Sequence, residues 1–184
     1  MRSIPGMVVL NPSDNVEAKA AVKAAYHHDG PVYLRFGRLA VPVFHDEETF
    51  KFEIGKGEVL RDGTDVAIIA TGLMVDEAVK AGEALAAKGI NAMIINMCTI
   101  KPIDKELVIE AAKKCGKIIT CEEHSIIGGL GEAVCSVLSE NHPTPVRRIG
   151  VNDVFGFSGP ALDLLKEFGL SAEHITEVAE EFCK

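Results

Sequence analysis

Tryptophan is missing from the 184 residues, an absence that by itself decides nothing. Other absences exclude more. No apolar run approaches the ~20 residues that a membrane-spanning helix needs. Pro5, Asn11, Pro12 and Asp14 interrupt any signal-peptide core near the start. Basic charge is short: 19 Lys and Arg stand against 27 Asp and Glu, a net charge of −8. Such a chain cannot lay a broad basic face along phosphates and release their counterions, so it makes a poor partner for nucleic acid. The five cysteines, Cys98, Cys115, Cys121, Cys135 and Cys183, show no CxxC and no Cys/His ligand spacing. An odd count in an acidic, non-secreted chain implies reduced thiols in the cytoplasm, most of them packed as small hydrophobes. No internal repeat, low-complexity stretch, nucleophile–base pair or complete phosphate loop can be read.

What is present is ordinary globular composition: 47% hydrophobic and 25% charged residues, enough for one large domain or one domain plus part of another. Met7 to Leu10 reads as a buried strand. Asp14 can cap the following helix, with Glu17 three residues on as in a capping box. Val16, Ala20 and Ala24 give that helix one small apolar face. Asp29-Gly30-Pro31 signals a turn, and Val32 to Phe36 a second strand. A two-strand fragment is marginal alone. This reading therefore places the rest of its sheet upstream in a longer protein or on another chain. Residues 39 to 53, with Pro42 and Asp46-Glu47-Glu48, read as an exposed connector, and a domain boundary falls near Glu53.

Beyond it the pattern is regular. Gly57 to Leu60 and Val66 to Ala70, separated by Arg61-Asp62-Gly63-Thr64, predict a hairpin. A helix through Val75, Ala78, Val79, Gly82 and Leu85 follows and stops at Gly89. Ile90 to Met97 reads as a strand. Lys101 to Asp104 start a helix that stops at Gly116, and Ile118 to Cys121 form the next strand. Gly128-Gly129-Leu130-Gly131 open a helix, and Val146 to Ile149 read as a strand. Helices Ala161 to Phe168 and Ala172 to Phe182, the latter capped by Ser171, close the chain. Alternation of this kind implies a mostly parallel, Rossmann-like three-layer α/β sheet with one antiparallel strand, preceded by a partial α/β unit.

Few residues carry chemistry. The glycine turn at residues 128–131 stands at a helix start, where unpaired N–H groups and the dipole favour an anion such as phosphate. The plainer reading is close packing of the helix start on the sheet. Cys121-Glu122-Glu123-His124 ends a strand, where α/β sites gather, and paired carboxylates beside histidine could move protons. A cluster facing a neighbouring domain is the competing reading. Arg35 and Arg38 frame a strand end; each could clamp phosphate with parallel donors or simply form a salt bridge. His27 and His28 suit a helix end, while His45, His142 and His174 carry little signal.

In order along the chain, Ile4-Pro5-Gly6-Met7-Val8-Val9-Leu10-Asn11-Pro12-Ser13-Asp14, Phe36-Gly37-Arg38-Leu39-Ala40-Val41-Pro42, Glu122-Glu123-His124-Ser125 with Gly128-Gly129-Leu130-Gly131, and Phe155-Gly156-Phe157-Ser158-Gly159 resemble segments of transketolases. The resemblance implies that residues 1–52 are the end of a pyrimidine-binding domain with its linker. Residues 53–184 are then a transketolase C-terminal domain. It further implies transfer of a two-carbon ketol unit between sugar phosphates by the complete enzyme, using thiamine diphosphate and Mg2+ or another divalent cation. Those groups would be held upstream, so no catalytic, cofactor or metal residue is assigned to this chain and it would be inactive alone. Arg38 lines up with the arginine that holds the substrate phosphate, although Gly37 stands where the family has serine. Implied partners are the upstream domains or an N-terminal subunit, the sugar phosphate, and a second copy in a homodimer. The resemblance extends to 1-deoxy-D-xylulose-5-phosphate synthases, against which the Phe155–Gly159 ending argues. It extends less closely to 2-oxoacid dehydrogenase β subunits. A non-catalytic binding or dimerisation module of the same fold is the remaining alternative.

Overall fold

In the computed structural model, residues 1–184 are all described. The chain opens with β1 (Val8–Leu10), α1 (Asn15–His27) and β2 (Val32–Leu34). A long connector leads to β3 (Glu58–Arg61), β4 (Val66–Ala70), α2 (Met74–Ala87), β5 (Ala92–Asn96) and β6 (Thr99–Lys101). Then come α3 (Lys105–Cys115), β7 (Ile118–Ser125), α4 (Leu130–Asn141) and β8 (Val146–Val151). The chain ends with α5 (Ala161–Glu167) and α6 (Ala172–Cys183).

The main sheet has five strands in the order β3-β5-β4-β7-β8, parallel except for β3. Its centre is β4, whose Val-Ala-Ile-Ile-Ala run is buried at every position. Side chains alternate across a strand, so the two faces feed different layers. Val66, Ile68 and Ala70 pack with Met74, Ala78, Ala81 and Leu85 of α2 and with Ile175 and Ala179 of α6. Ala67 and Ile69 pack with Val108, Ala111 and Ala112 of α3 and with Leu130, Val134 and Leu138 of α4. Burying one such isoleucine or leucine contributes roughly 1.5–3 kcal/mol. Helices on both faces give the three-layer α/β sandwich that the alternation implies.

Local signals place the helix ends. Asp104 caps α3 by accepting the Leu107 N–H at 3.1 Å, and Gly116 ends that helix in the left-handed conformation at φ 67°. Ser171 caps α6 through the His174 N–H. Each such cap contributes about 1 kcal/mol.

Four sequence expectations need correction. The 57–70 hairpin does not form: β3 pairs antiparallel with β5, not with β4. Both neighbours of β4 are parallel strands reached by helical crossovers. The partly exposed β3, with Glu58 and Val59 turned to solvent, suits the edge. Gly63 is still required, because a Cβ there would lie 2.3 Å from the Ala92 carbonyl carbon. Secondly, Thr99 to Lys101 form a strand that pairs antiparallel with β1, so the first unit is a three-stranded sheet in the order β2-β1-β6. The third correction concerns β7, which runs on to Ser125, so Glu122, Glu123 and His124 lie within it. Finally, α1 buries Val16, Glu17 and Ala21 in place of an Ala20–Ala24 face. Glu17 reaches past the cap to the Ser13 N–H and hydroxyl, at 2.7 and 2.6 Å.

Candidate functional site

Three polar arrangements lie where the first unit meets the main sheet. In the first, Glu122 of β7 is fully buried. Its two carboxylate oxygens accept the Leu130 N–H at 2.7 Å and the Gly131 N–H at 2.9 Å, both from the first turn of α4. Desolvating a carboxylate is costly, and two N–H donors at a helix start offset that cost. The fit depends on Gly129, where a Cβ would lie 1.8 Å from Glu122 Oε2. The anion at this helix start is therefore the protein's own carboxylate, which corrects the phosphate reading of the glycine turn. His124 Nδ1 lies 2.9 Å from the Ser125 carbonyl and 3.3 Å from Glu122 Oε2. A carbonyl only accepts, so Nδ1 carries a proton. Glu122 is thus committed to backbone and to Nδ1 of His124, an arrangement that holds structure, and only Nε2 of His124 is left without a protein partner.

In the second, Arg35 follows β2, and its N–H donates to the Leu10 carbonyl at 2.9 Å. Its guanidinium donates to Glu123 Oε2 from Nη1 and Nη2 at 3.2 and 3.3 Å, and to the Glu123 carbonyl at 3.0 Å. Of the two arginines framing this strand end, Arg35 takes the salt bridge. Arg38 is exposed and makes no hydrogen bond or ion pair with the protein. It sits on the loop from Phe36 to Val43, in which no residue makes a backbone hydrogen bond. The loop arches over the start of α1 above a cavity of about 370 Å³ lined by Pro12, Asp14, Phe36, Leu39, Val41 and Leu73.

The third arrangement centres on His45, which carried little signal in sequence and proves to be buried. Its Nδ1 lies 3.0 Å from Asp14 Oδ2 and its Nε2 2.7 Å from Glu58 Oε2. Phe50 packs against the ring with centroids 4.1 Å apart. Asp14 Oδ2 also accepts the Phe44 and His45 N–H groups at 3.1 and 3.0 Å, while Oδ1 caps α1 through the Glu17 N–H. Burial opposes a charged ring, but Glu58 and Asp14 outweigh it and push the His45 pKa up to about 9. Burial would raise Asp14, yet the N–H donors of Glu17 and His45 and the His45 ring hold it below its usual value. Glu17 is raised by burial, only partly offset by Ser13, His45 and Asn96.

The remaining candidates lie apart. His27 ends α1 and His28 caps it, His142 caps α4, and His174 Nδ1 sits 3.8 Å from Glu177. All five cysteines are unpaired, with Cys98, Cys115 and Cys121 buried. No helix is long and apolar enough to cross a membrane. Nowhere do three or more His, Cys, Asp or Glu side chains converge as a metal site would need.

Known proteins resemble the chain over nearly its whole length. The family described as transketolase, C-terminal domain, matches residues 55–175, and the transketolase pyrimidine-binding domain matches residues 1–43. The 6-deoxy-6-sulfo-D-fructose transketolase subunit SqwH of Clostridium sp. (strain MSTE9) is 47% identical over 182 residues, covering 98% of this chain and 56% of that protein. A 1-deoxy-D-xylulose-5-phosphate synthase 1 of Geobacter sulfurreducens is 41% identical over 187 residues, 99% of this chain and 29% of that protein. A solved structure described as a split gene transketolase, inactive beta4 tetramer, superposes with a TM-score of 0.95 at 46% identity, covering 98% of this chain and 59% of that one. The chain thus spans little more than half the length of the transketolase subunit and structure that it matches.

Proposed function

This chain belongs to the transketolase family, and from that premise we propose that it is the C-terminal portion of a ketol-transferring enzyme and that Arg38 binds the anionic end of the sugar. Residues 1–52 would end a pyrimidine-binding domain and residues 53–184 form the C-terminal domain. The upstream portion, on an N-terminal subunit or a longer chain, would complete the enzyme within an oligomer, a homodimer of complete units in our reading. A split gene transketolase among the similar structures supports this division of labour.

Thiamine diphosphate and a divalent cation would supply the carbanion chemistry when bound to the complete enzyme. The residues of this chain do not fit them: no acidic or histidine cluster is placed for the metal, and Glu122 fills the helix start that could face a diphosphate. No step is assigned through the cofactor here.

One observation carries the role of Arg38. Arg35 is consumed by Glu123, whereas the Arg38 guanidinium is exposed and has no protein partner. A planar fork of donors suits a tetrahedral oxyanion, phosphate and sulfonate alike. The sugar in the name of the Clostridium relative carries a sulfo group, so the substrate class is best written as a ketose or aldose with a terminal oxyanion. The test is ketol transfer by the enzyme assembled with its upstream domains. Arg38→Ala should raise KM for an aldose phosphate by about tenfold or more while kcat changes little, the loss of a charge-assisted pair. An unchanged KM would remove Arg38 from the site. Against the deoxyxylulose-phosphate synthase alternative stands its lower identity, 41% against 47%.

A further inference from the structure

The loop that carries Arg38 is held mainly at its two ends. At the near end Arg35 is tied to Leu10 and Glu123. Between Phe36 and Val43 there is no hydrogen bond of any kind; only Leu39 and Val41 pack inward against the core. The far end is fixed at Phe44 and His45, whose N–H groups both reach Asp14 Oδ2 and whose imidazole bridges Asp14 and Glu58. Asp14 is at the same time the cap of α1, so the clasp references the loop to the helix over which it arches.

We propose that His45 is a positioning residue for Arg38, its ring clasping the far end of the loop so that the guanidinium is presented from one place. The proposal rests on the reading of Arg38 given above. The groups facing the ring are Asp14 and Glu17 from the α1 side, Glu58 from β3, and the aromatic faces of Phe44 and Phe50; the charged ones are all carboxylates. A protonated ring donates to Glu58 and sets its positive charge 3.0 Å from Asp14 Oδ2, an ion pair without hydrogen-bond geometry. A neutral ring lacks the charge that draws the two carboxylates together, and the clasp loosens. With the ring titrating at about 9, the clasp is closed at neutral pH and opens in mild alkali. A sugar phosphate is already fully ionised there, since its second pKa lies near 6.

The experiment compares ribose 5-phosphate with unphosphorylated ribose as acceptors for the assembled enzyme, from pH 7 to 10. In the unaltered enzyme, KM for ribose 5-phosphate should rise as pH passes through about 9, with no matching rise for ribose. His45→Gln should raise KM for ribose 5-phosphate about fivefold at pH 7, the loss of one hydrogen bond's worth of order. It should leave kcat and the ribose KM unchanged and abolish the alkaline rise. The double variant His45→Gln, Arg38→Ala should be no worse than Arg38→Ala alone. Glu58→Gln, at the partly exposed end of the clasp, should act in the same direction more weakly and guards against a His45 variant that fails to fold. If Arg38→Ala abolishes discrimination between the two acceptors but the His45 and Glu58 variants leave it intact, the positioning role is overturned and the Arg38 reading stands. If Arg38→Ala itself leaves discrimination intact, both are overturned.

Discussion

Glu122 Oε2 accepts the Leu130 N–H at 2.7 Å, which seats a fully buried carboxylate at the start of α4. Glu122→Gln keeps the size but turns an NH2 toward one of the two backbone donors. It should cost about 2–3 kcal/mol, as expected for breaking a charged, buried hydrogen-bond pair. Gly129→Ala should cost at least as much, because its Cβ would overlap Glu122. Urea denaturation of each variant would measure this; a Gln variant as stable as the parent would show that the carboxylate charge contributes nothing.

Stability should fall on the alkaline side because of His45. Its pKa is raised from 6.5 to about 9 in the fold, so the folded state holds its proton more tightly than the unfolded chain. The resulting contribution, of order 3 kcal/mol at most, is complete below about pH 6.5 and is lost as pH rises through about 9. Asp14, held below 3.8, works in the opposite range: its contribution is present above that value and lost as pH falls through the folded pKa. Thermal melts between pH 6 and 10 should show the alkaline loss in the parent and a flatter profile in His45→Gln.

Arg35 and Glu123 join β2 to β7 across 88 positions of sequence. Both side chains are partly buried, about a quarter exposed, so solvent screening reduces their coupling. A double-mutant cycle with Arg35→Ala and Glu123→Ala should give about 1 kcal/mol. A coupling energy near zero would mean that the first unit is held on the main sheet by β6, by apolar contacts and by its other polar links, such as Asn96 with Ser13 and Glu17.

At Gly63 a side chain has no room, since a Cβ would come within 2.3–2.6 Å of the backbone from Asn91 to Met93. Gly63→Ala should therefore destabilise by about 2–4 kcal/mol. Hydrogen exchange should speed up first in β3 and the start of β5. Uniform loss across the sheet would argue against a local clash.

Much of the fold was legible in sequence because the decisive signals were local. The apolar run of β4, the Asp104 cap and the Gly116 stop each lie within a few residues of what they determine. The resemblance to transketolases was legible for the same reason. What sequence did not disclose depends on distant partners. Asp62-Gly63 does mark a turn, but the partner of β3 is decided by which strands are buried on both faces. Thr99-Ile100-Lys101 looks like the approach to a helix until Val9 and Leu10 lie beside it. Arg35 and Arg38 look alike until Glu123 chooses one of them. His45 has no neighbour in sequence that signals its role, since its carboxylates sit 31 and 13 positions away.

The antiparallel pairing of β1 with β6 bears on how the chain is made. A ribosome delivers β1, α1 and β2 early, yet the second edge of β1 has no occupant until Thr99 to Lys101 emerge. Throughout that interval the nascent chain carries an open strand edge, the kind of surface on which unfinished chains pair wrongly. The first unit therefore matures late although it is synthesised before the main sheet, and a chaperone or partner acting during translation would find its target there.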